Sequence, residues 1–198
     1  MLYPHLNGKR VILASQSPRR LELVKGLELE PETWLKDVDE SFPDEITGPA
    51  IAEYVTRLKA EAYWNELGPD DVLITGDTVV LLGDEVLQKP EDRNEAIGML
   101  ELLSGRTHTV ASGIAVTTLK TGIQSTVDTC EVTFRPLERA WIEHYIDTYQ
   151  PYDKAGGYGV QDMIGFAGVT GMQGSYFTVM GLPTHKLFEL INSLQSKL

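Results

Sequence analysis

The sequence predicts an α/β fold, built as one domain of two lobes, and three observations carry that expectation. An apolar run, Val11-Ile12-Leu13-Ala14, stops at Ser15 and hands over to Pro18 and a segment of helical spacing, which reads as strand, turn, helix. A second buried-type run, Val72 to Thr75, stops at Gly76 and Asp77. Around these, strand-period and helix-period stretches follow one another, with no repeat, low-complexity tract or flexible linker to separate domains. A chain of 198 residues is long enough to bury such a core.

The first turn carries chemistry as well as structure. Ser17 stands at the N-cap position of a helix from about Pro18 to Gly26, and Pro18 at its first residue, where the missing donor costs nothing. Unpaired N–H groups, the hydroxyls of Ser15 and Ser17, and the guanidinium groups of Arg19 and Arg20 therefore meet at one spot. Cations are unfavourable at the positive end of a helix unless an anion sits there, so the pair points to a phosphate. Two solvated arginines in a surface turn are the plainer alternative.

Next come a short strand at Glu32 to Lys36 and an acidic stretch from Asp37 to Glu45. The acidic stretch reads as a solvated loop, from which one or two carboxylates could carry a cation if a polyphosphate were near. Pro49 opens a helix to about Trp64 with an apolar stripe of Ile51, Val55, Leu58 and Ala62. Lys59 lies beside that stripe and, on pattern alone, reads as a lysine snorkelling from the core edge. The strand ending at Gly76 delivers Asp77 to its C-terminal edge, where open α/β sheets bind ligands, and an Asp in so apolar a setting reads as functional.

Gly83-Asp84 marks a hairpin turn returning through Val86-Leu87, after which Pro90 holds Lys89 extended. A helix from Asp92 to Leu103 buries Ala96, Met99, Leu100 and Leu103 and stops at Gly105. Thr107 to Leu119 and Ile123 to Phe134 form a hairpin. His108 has no second His or Cys nearby, which argues against zinc. Glu138 to Tyr149 is an amphipathic helix with Trp141, Ile142, Tyr145, Ile146 and Tyr149 on one side, a candidate surface for pairing. The glycine-rich stretch from Pro151 to Gln161 suits a backbone close to a ligand, with Tyr152, Tyr158 and Gln161 for stacking and amide recognition. Ile164 to Met180 suggests strands with a turn at Gly171 to Gly174. Thr184 caps a final helix carrying Leu187, Leu190, Ile191 and Leu194.

Composition narrows the partners. With a net charge of −12, a broad nucleic-acid surface is excluded, and any anion site must be a local basic pocket in an acidic body. The single cysteine, Cys130, makes no intramolecular disulfide and fits packing in a reducing cytoplasm. Residues 1 to 9 are too polar for a signal peptide, and no apolar run approaches the ~18 residues of a membrane span. The expectation is a soluble, cytoplasmic protein without nucleic-acid or membrane partners.

Taken together, Leu13-Ala14-Ser15-Gln16-Ser17-Pro18-Arg19-Arg20, Asp39-Glu40, Lys59-Ala60, Gly76-Asp77-Thr78, Lys89-Pro90, Ser104 to Val110, Tyr152 to Gly156, Gly174-Ser175-Tyr176 and Gly181-Leu182-Pro183 resemble the Maf family of nucleoside triphosphate pyrophosphatases. That resemblance implies an elongated, two-lobed α/β fold around a mixed, mostly antiparallel twisted sheet, with flanking helices and a central cleft, shared with inosine triphosphate pyrophosphatases. It implies cleavage between the α and β phosphates with a divalent metal, Mg²⁺ or Mn²⁺. Asp77 is then the general base and a metal ligand, and Glu40 the second metal carboxylate. Ser15, Arg20, Lys59 and Lys89 hold the triphosphate. Arg19, Thr78 and Gln161 match the subgroup that accepts dTTP and UTP, with modified pyrimidine nucleotides as further substrates, a house-cleaning role. The chain departs from the family's usual Ala and Gly at Gly157 and Asp162. The family often pairs as homodimers. It is also associated with septum formation, so a regulatory nucleotide-binding module without essential catalysis is the alternative.

Overall fold

The computed structural model describes residues 2–196. Its elements, in chain order, are β1 (Arg10–Ala14), α1 (Pro18–Gly26), β2 (Glu32–Trp34), α2 (Ala50–Ala62), β3 (Asp71–Leu82), β4 (Glu85–Leu87), α3 (Arg93–Leu103), β5 (Thr107–Thr118), β6 (Gly122–Phe134), α4 (Arg139–Tyr149), α5 (Met163–Gly168), β7 (Val169–Gln173), α6 (Tyr176–Met180) and α7 (Thr184–Ser193). One mixed sheet runs β2-β1-β3-β5-β6-β7, with β4 paired to β3. β1 pairs in parallel with both β2 and β3, whereas β3–β4 and β6–β7 are antiparallel. This is the mixed α/β fold expected from the sequence.

The chain divides into two compact units: Met1–Asp77, Ser112–Asp128 and Gly181–Leu198 form the first, Thr78–Ala111 and Thr129–Met180 the second. In the first unit, β1 and the part of β3 up to Asp77 are buried on both faces, so their apolar runs are continuous rather than alternating. Arg10 begins β1 and forks its guanidinium onto Asp71 at the start of β3, at 2.9 and 2.8 Å. This bidentate bond, helped by the Gly68 N–H, holds the Asp71 carboxyl below its ordinary proton affinity.

The face that α2 buries is Ile51, Ala52, Val55, Thr56 and Ala60, rotated from the expected stripe through Leu58 and Ala62. The cause is close approach to β5. A Cβ on Gly113 would fall on the Ala52 carbonyl and within 2.5 Å of Thr56 Oγ1, so only small groups fit there. Thr56 satisfies its hydroxyl on Ala52 O at 2.7 Å, and Thr75 of β3 donates to Thr56 O at 3.0 Å, tying helix to sheet.

The second unit has its own core, in which Val80, Leu100, Leu103, Val132, Phe134, Ile142, Tyr145, Ile146 and Ile164 pack together. Cys130 is buried there, as a packing residue should be. Tyr145 is wholly buried, which takes the middle of the predicted face of α4 out of any pairing surface, whereas Tyr149, stacked on it at 5.1 Å, is exposed and Trp141 is half-buried. Residues 164–180 differ from expectation: two short helices flank a single strand there. No helix among the described residues is long and apolar enough to cross a membrane.

Candidate active site

The turn between β1 and α1 is assembled by its own hydroxyls. The Ser17 N–H donates to Ser15 Oγ at 3.1 Å, and Ser17 Oγ accepts the Arg20 N–H at 3.4 Å, as an N-cap does. Arg20 then folds back over the turn, with Nη1 3.5 Å from Ser15 Oγ and Nε donating to the Gly181 carbonyl at 2.9 Å. Burial lowers the proton affinity of this guanidinium and Arg19 lowers it further, while the negative charges of Asp77 and Glu40 oppose them. Arg20 thus senses both acids that the sequence singles out.

Those acids meet on one lysine. Lys59, in the last turn of α2, places Nζ 2.8 Å from Asp77 Oδ1 and 2.9 Å from Glu40 Oε1. The Lys59 and Asp77 side chains keep only 13% and 11% of their surface, whereas Glu40 keeps 45%. The core-edge lysine therefore turns its head onto a buried carboxylate rather than into water. From the acidic stretch it draws in Glu40, while Asp39 stays local and accepts the Ser41 N–H at 3.0 Å.

Asp77 does not end its strand, contrary to expectation. β3 continues to Leu82, and the β1–β3 ladder stops at Leu13↔Ile74, so Asp77 lies beyond the point where β1 leaves it. Gly76 makes this stretch of β3 compact: a Cβ there would lie 3.0 Å from Gly113 O and 3.6 Å from Arg20 Nε. Ser15, Arg20, Glu40, Lys59 and Asp77 are thereby brought together within the first unit, with Arg19 beside Arg20 on α1.

Thr78, Lys89 and Gln161 belong to the second unit. Lys89 is exposed, but its neighbours are anchored on the glycine-rich stretch. Gln88 O accepts the Gly156 N–H at 3.0 Å, and a Cβ on Gly157 would lie 3.6 Å from Pro90 Cγ. Tyr158 and His108 exchange a 2.7 Å hydrogen bond in the core, where burial pushes the imidazole down to about 4. The Tyr145 hydroxyl, which sequence reasoning took only as apolar surface, accepts the Gly159 N–H at 3.0 Å and donates to Asp162 Oδ2 at 2.8 Å. A phenol on an otherwise apolar helix face is the signal, since a buried tyrosine hydroxyl needs a partner.

Chemically, the first unit sets donors and cations beside a carboxylate pair. The two acids share the Lys59 ammonium, and carboxylate oxygens are the type of donor that suits a hard cation sharing its shell with phosphate oxygens and water. Among the described residues, no cluster of three or more His, Cys, Asp or Glu could hold a metal without such help.

The family model described as Maf-like protein matches residues 10–194. The dTTP/UTP pyrophosphatase of Bacteroides thetaiotaomicron is 44% identical over 96% of this chain and 98% of its own length. That of Flavobacterium psychrophilum is 42% identical over 95% and 96%. Among solved structures, the Staphylococcus aureus Ham1 protein aligns with 64% of this chain and 72% of its own at a TM-score of 0.48 and 15% identity. With a family match across nearly all of its length and relatives of this identity, the chain belongs to the Maf family.

Proposed function

We propose that the chain is a nucleoside triphosphate pyrophosphatase that hydrolyses dTTP and UTP between the α and β phosphates, releasing nucleoside monophosphate and pyrophosphate. The observation that carries this reading is the Lys59 ammonium shared by Asp77 and Glu40, at 2.8 and 2.9 Å, in a chain whose relatives bear that enzyme name. Attack on a crowded anion needs a fixed base for water and cations for the developing charge. Asp77 takes the proton from the attacking water. A carboxylate offers about four lone-pair sites, so one ammonium does not exhaust it. Ser15, Arg20 and Lys59 hold phosphate oxygens, and Lys89 does the same from its extended segment. Gln161 reads the imide edge of a pyrimidine with its amide donor and acceptor, and Arg19 and Thr78 share in the choice of base. Asp77 and Glu40 are the residues that would hold Mg²⁺ or Mn²⁺, which supplies Lewis-acid neutralisation of phosphate charge when bound.

With that specificity goes a house-cleaning role on pyrimidine nucleotides, modified ones included, and the cytoplasm is the compartment this reading assigns to it. A regulatory module acting in septum formation without catalysis is the weaker reading, because the relatives are named for an enzymatic activity. A panel of triphosphates with Mg²⁺ or Mn²⁺, with products resolved, decides. Pyrophosphate and monophosphate are expected, and Asp77→Asn should lower turnover by roughly 10²- to 10⁴-fold with the variant still folded at the assay temperature. Inorganic phosphate as the main product would overturn the bond assignment, and equal turnover by wild type and Asp77→Asn would restore the regulatory reading.

A further inference from the structure

We infer that Asp162 and Tyr145 are positioning residues for base selection: together they fix the backbone of residues 159–162 and so the amide of Gln161. This rests on the reading of Gln161 as the residue that meets the pyrimidine.

The argument starts at Gly159, which is buried in the second unit. Its N–H donates to the Tyr145 hydroxyl at 3.0 Å, and that hydroxyl in turn donates to Asp162 Oδ2 at 2.8 Å. A Cβ on Gly159 would fall on Asp162 Oδ2 and within 3.0 Å of Gln161 Nε2, so the space of one missing methyl is shared by the carboxylate and by the Gln161 amide. The loop thus closes on itself: Asp162 N–H donates to Gly159 O at 3.0 Å, while the Asp162 side chain reaches around to the phenol that holds the Gly159 N–H.

Tyr145 is fully buried on α4, and Lys154 Nζ lies 3.8 Å from Asp162 Oδ2. The phenol is therefore a fixed post, and the carboxylate on it is opposed by a cation rather than presented as an acidic surface. Asp162 also stands at the N-cap position of α5 but makes no side-chain cap bond there. Its side chain is committed to Tyr145 instead, a choice that costs helix α5 its cap and gives the Gln161 loop its anchor.

Kinetics of the full chain with UTP and GTP, each with Mg²⁺, test the inference, alongside hydrogen exchange of residues 156–162. Tyr145→Phe should raise KM for UTP roughly tenfold with kcat held within about twofold, and so lower the preference for UTP over GTP by a similar factor. Exchange at Gly159 should speed up in the same variant. Asp162→Ala should follow Tyr145→Phe, whereas Asp162→Asn, which keeps an oxygen for the phenol, should stay within about twofold of wild type. An unchanged UTP-to-GTP ratio in both Tyr145→Phe and Asp162→Ala overturns the inference alone, as does an equal loss of kcat on both nucleotides. A wild-type chain that turns over no pyrimidine triphosphate overturns the proposed function, and this inference with it.

Discussion

Lys59 holds two acids of unequal burial, and the inequality decides what each contributes. Removing the ammonium strands the Asp77 carboxylate, whose side chain is 11% exposed, whereas Glu40, at 45%, can turn to water. Lys59→Met should therefore cost about 3 kcal/mol of unfolding free energy, the typical price of breaking a buried pair from one side. Glu40→Gln should cost under about 1 kcal/mol, as for an exposed ion pair. Urea denaturation of the two variants measures both. The double variant Lys59→Met with Asp77→Asn should regain part of the loss, because the charge left without Lys59 is then only the solvent-exposed Glu40, while remaining inactive. Additive losses would show that the contact between Lys59 and Asp77 carries no stability of its own.

At the scale of elements, the packing of α2 on β5 depends on the missing side chain of Gly113. Gly113→Ala drives a methyl onto the Ala52 carbonyl and to 2.5 Å from Thr56 Oγ1, in backbone that cannot yield without moving the helix that carries Lys59. A loss of about 3 kcal/mol or more is expected, read by denaturant titration. Gly98→Ala, in the middle of α3 with nothing within 4 Å of the new methyl, should instead gain roughly 0.4–1 kcal/mol. The contrast also explains what the sequence could reveal. α1 was legible to its ends because cap, proline and stop are local signals, and β1, β4 and the β5–β6 hairpin because period and turn residues agree with their surroundings. The face of α2 was not, since hydropathy favours Leu58 while the close approach at Gly113 selects Ala52 and Thr56. The sequence predicts strands over Ile164 to Met180 because the helices at Met163–Gly168 and Tyr176–Met180 are too short to show a period. Contacts made far along the chain set them: a Cβ on Gly168 would press within 2.9 Å of Leu137 and 3.0 Å of Phe134. In the site, Ser15, Arg20 and Asp77 announced themselves by type and setting. That Glu40, of all the acids between 37 and 45, would meet Lys59 depends on the course of a loop, which no local pattern encodes.

For the molecule as a whole, stability against acid turns on a histidine that has no part in the proposed chemistry. His108 is 2% exposed, bonded through Nε2 to Tyr158 and flanked by Phe134 at 5.4 Å, and its Nδ1 has no hydrogen-bond partner among the described residues. Burial lowers its proton affinity from an ordinary 6.5 to about 4. Below 6.5 the unfolded chain binds a proton that the folded chain refuses until about 4, so the unfolded state holds more protons and stability falls with pH across that window. The contribution is fully present above 6.5 and is lost by about 4, to a total of roughly 3 kcal/mol as an upper figure. Other groups titrate in the same range, and the net charge of −12 means that acid also relieves repulsion between carboxylates. Both effects are common to wild type and His108→Gln, a variant whose amide still offers Tyr158 a partner and does not titrate. The difference between their unfolding free energies should therefore isolate the histidine. Wild type is expected to lose up to about 3 kcal/mol relative to the variant between pH 7 and pH 4, measured by denaturant unfolding at each pH. Parallel curves would mean that the imidazole takes up its proton in the folded chain as readily as in the unfolded one, and that the core around Tyr158 admits the charge.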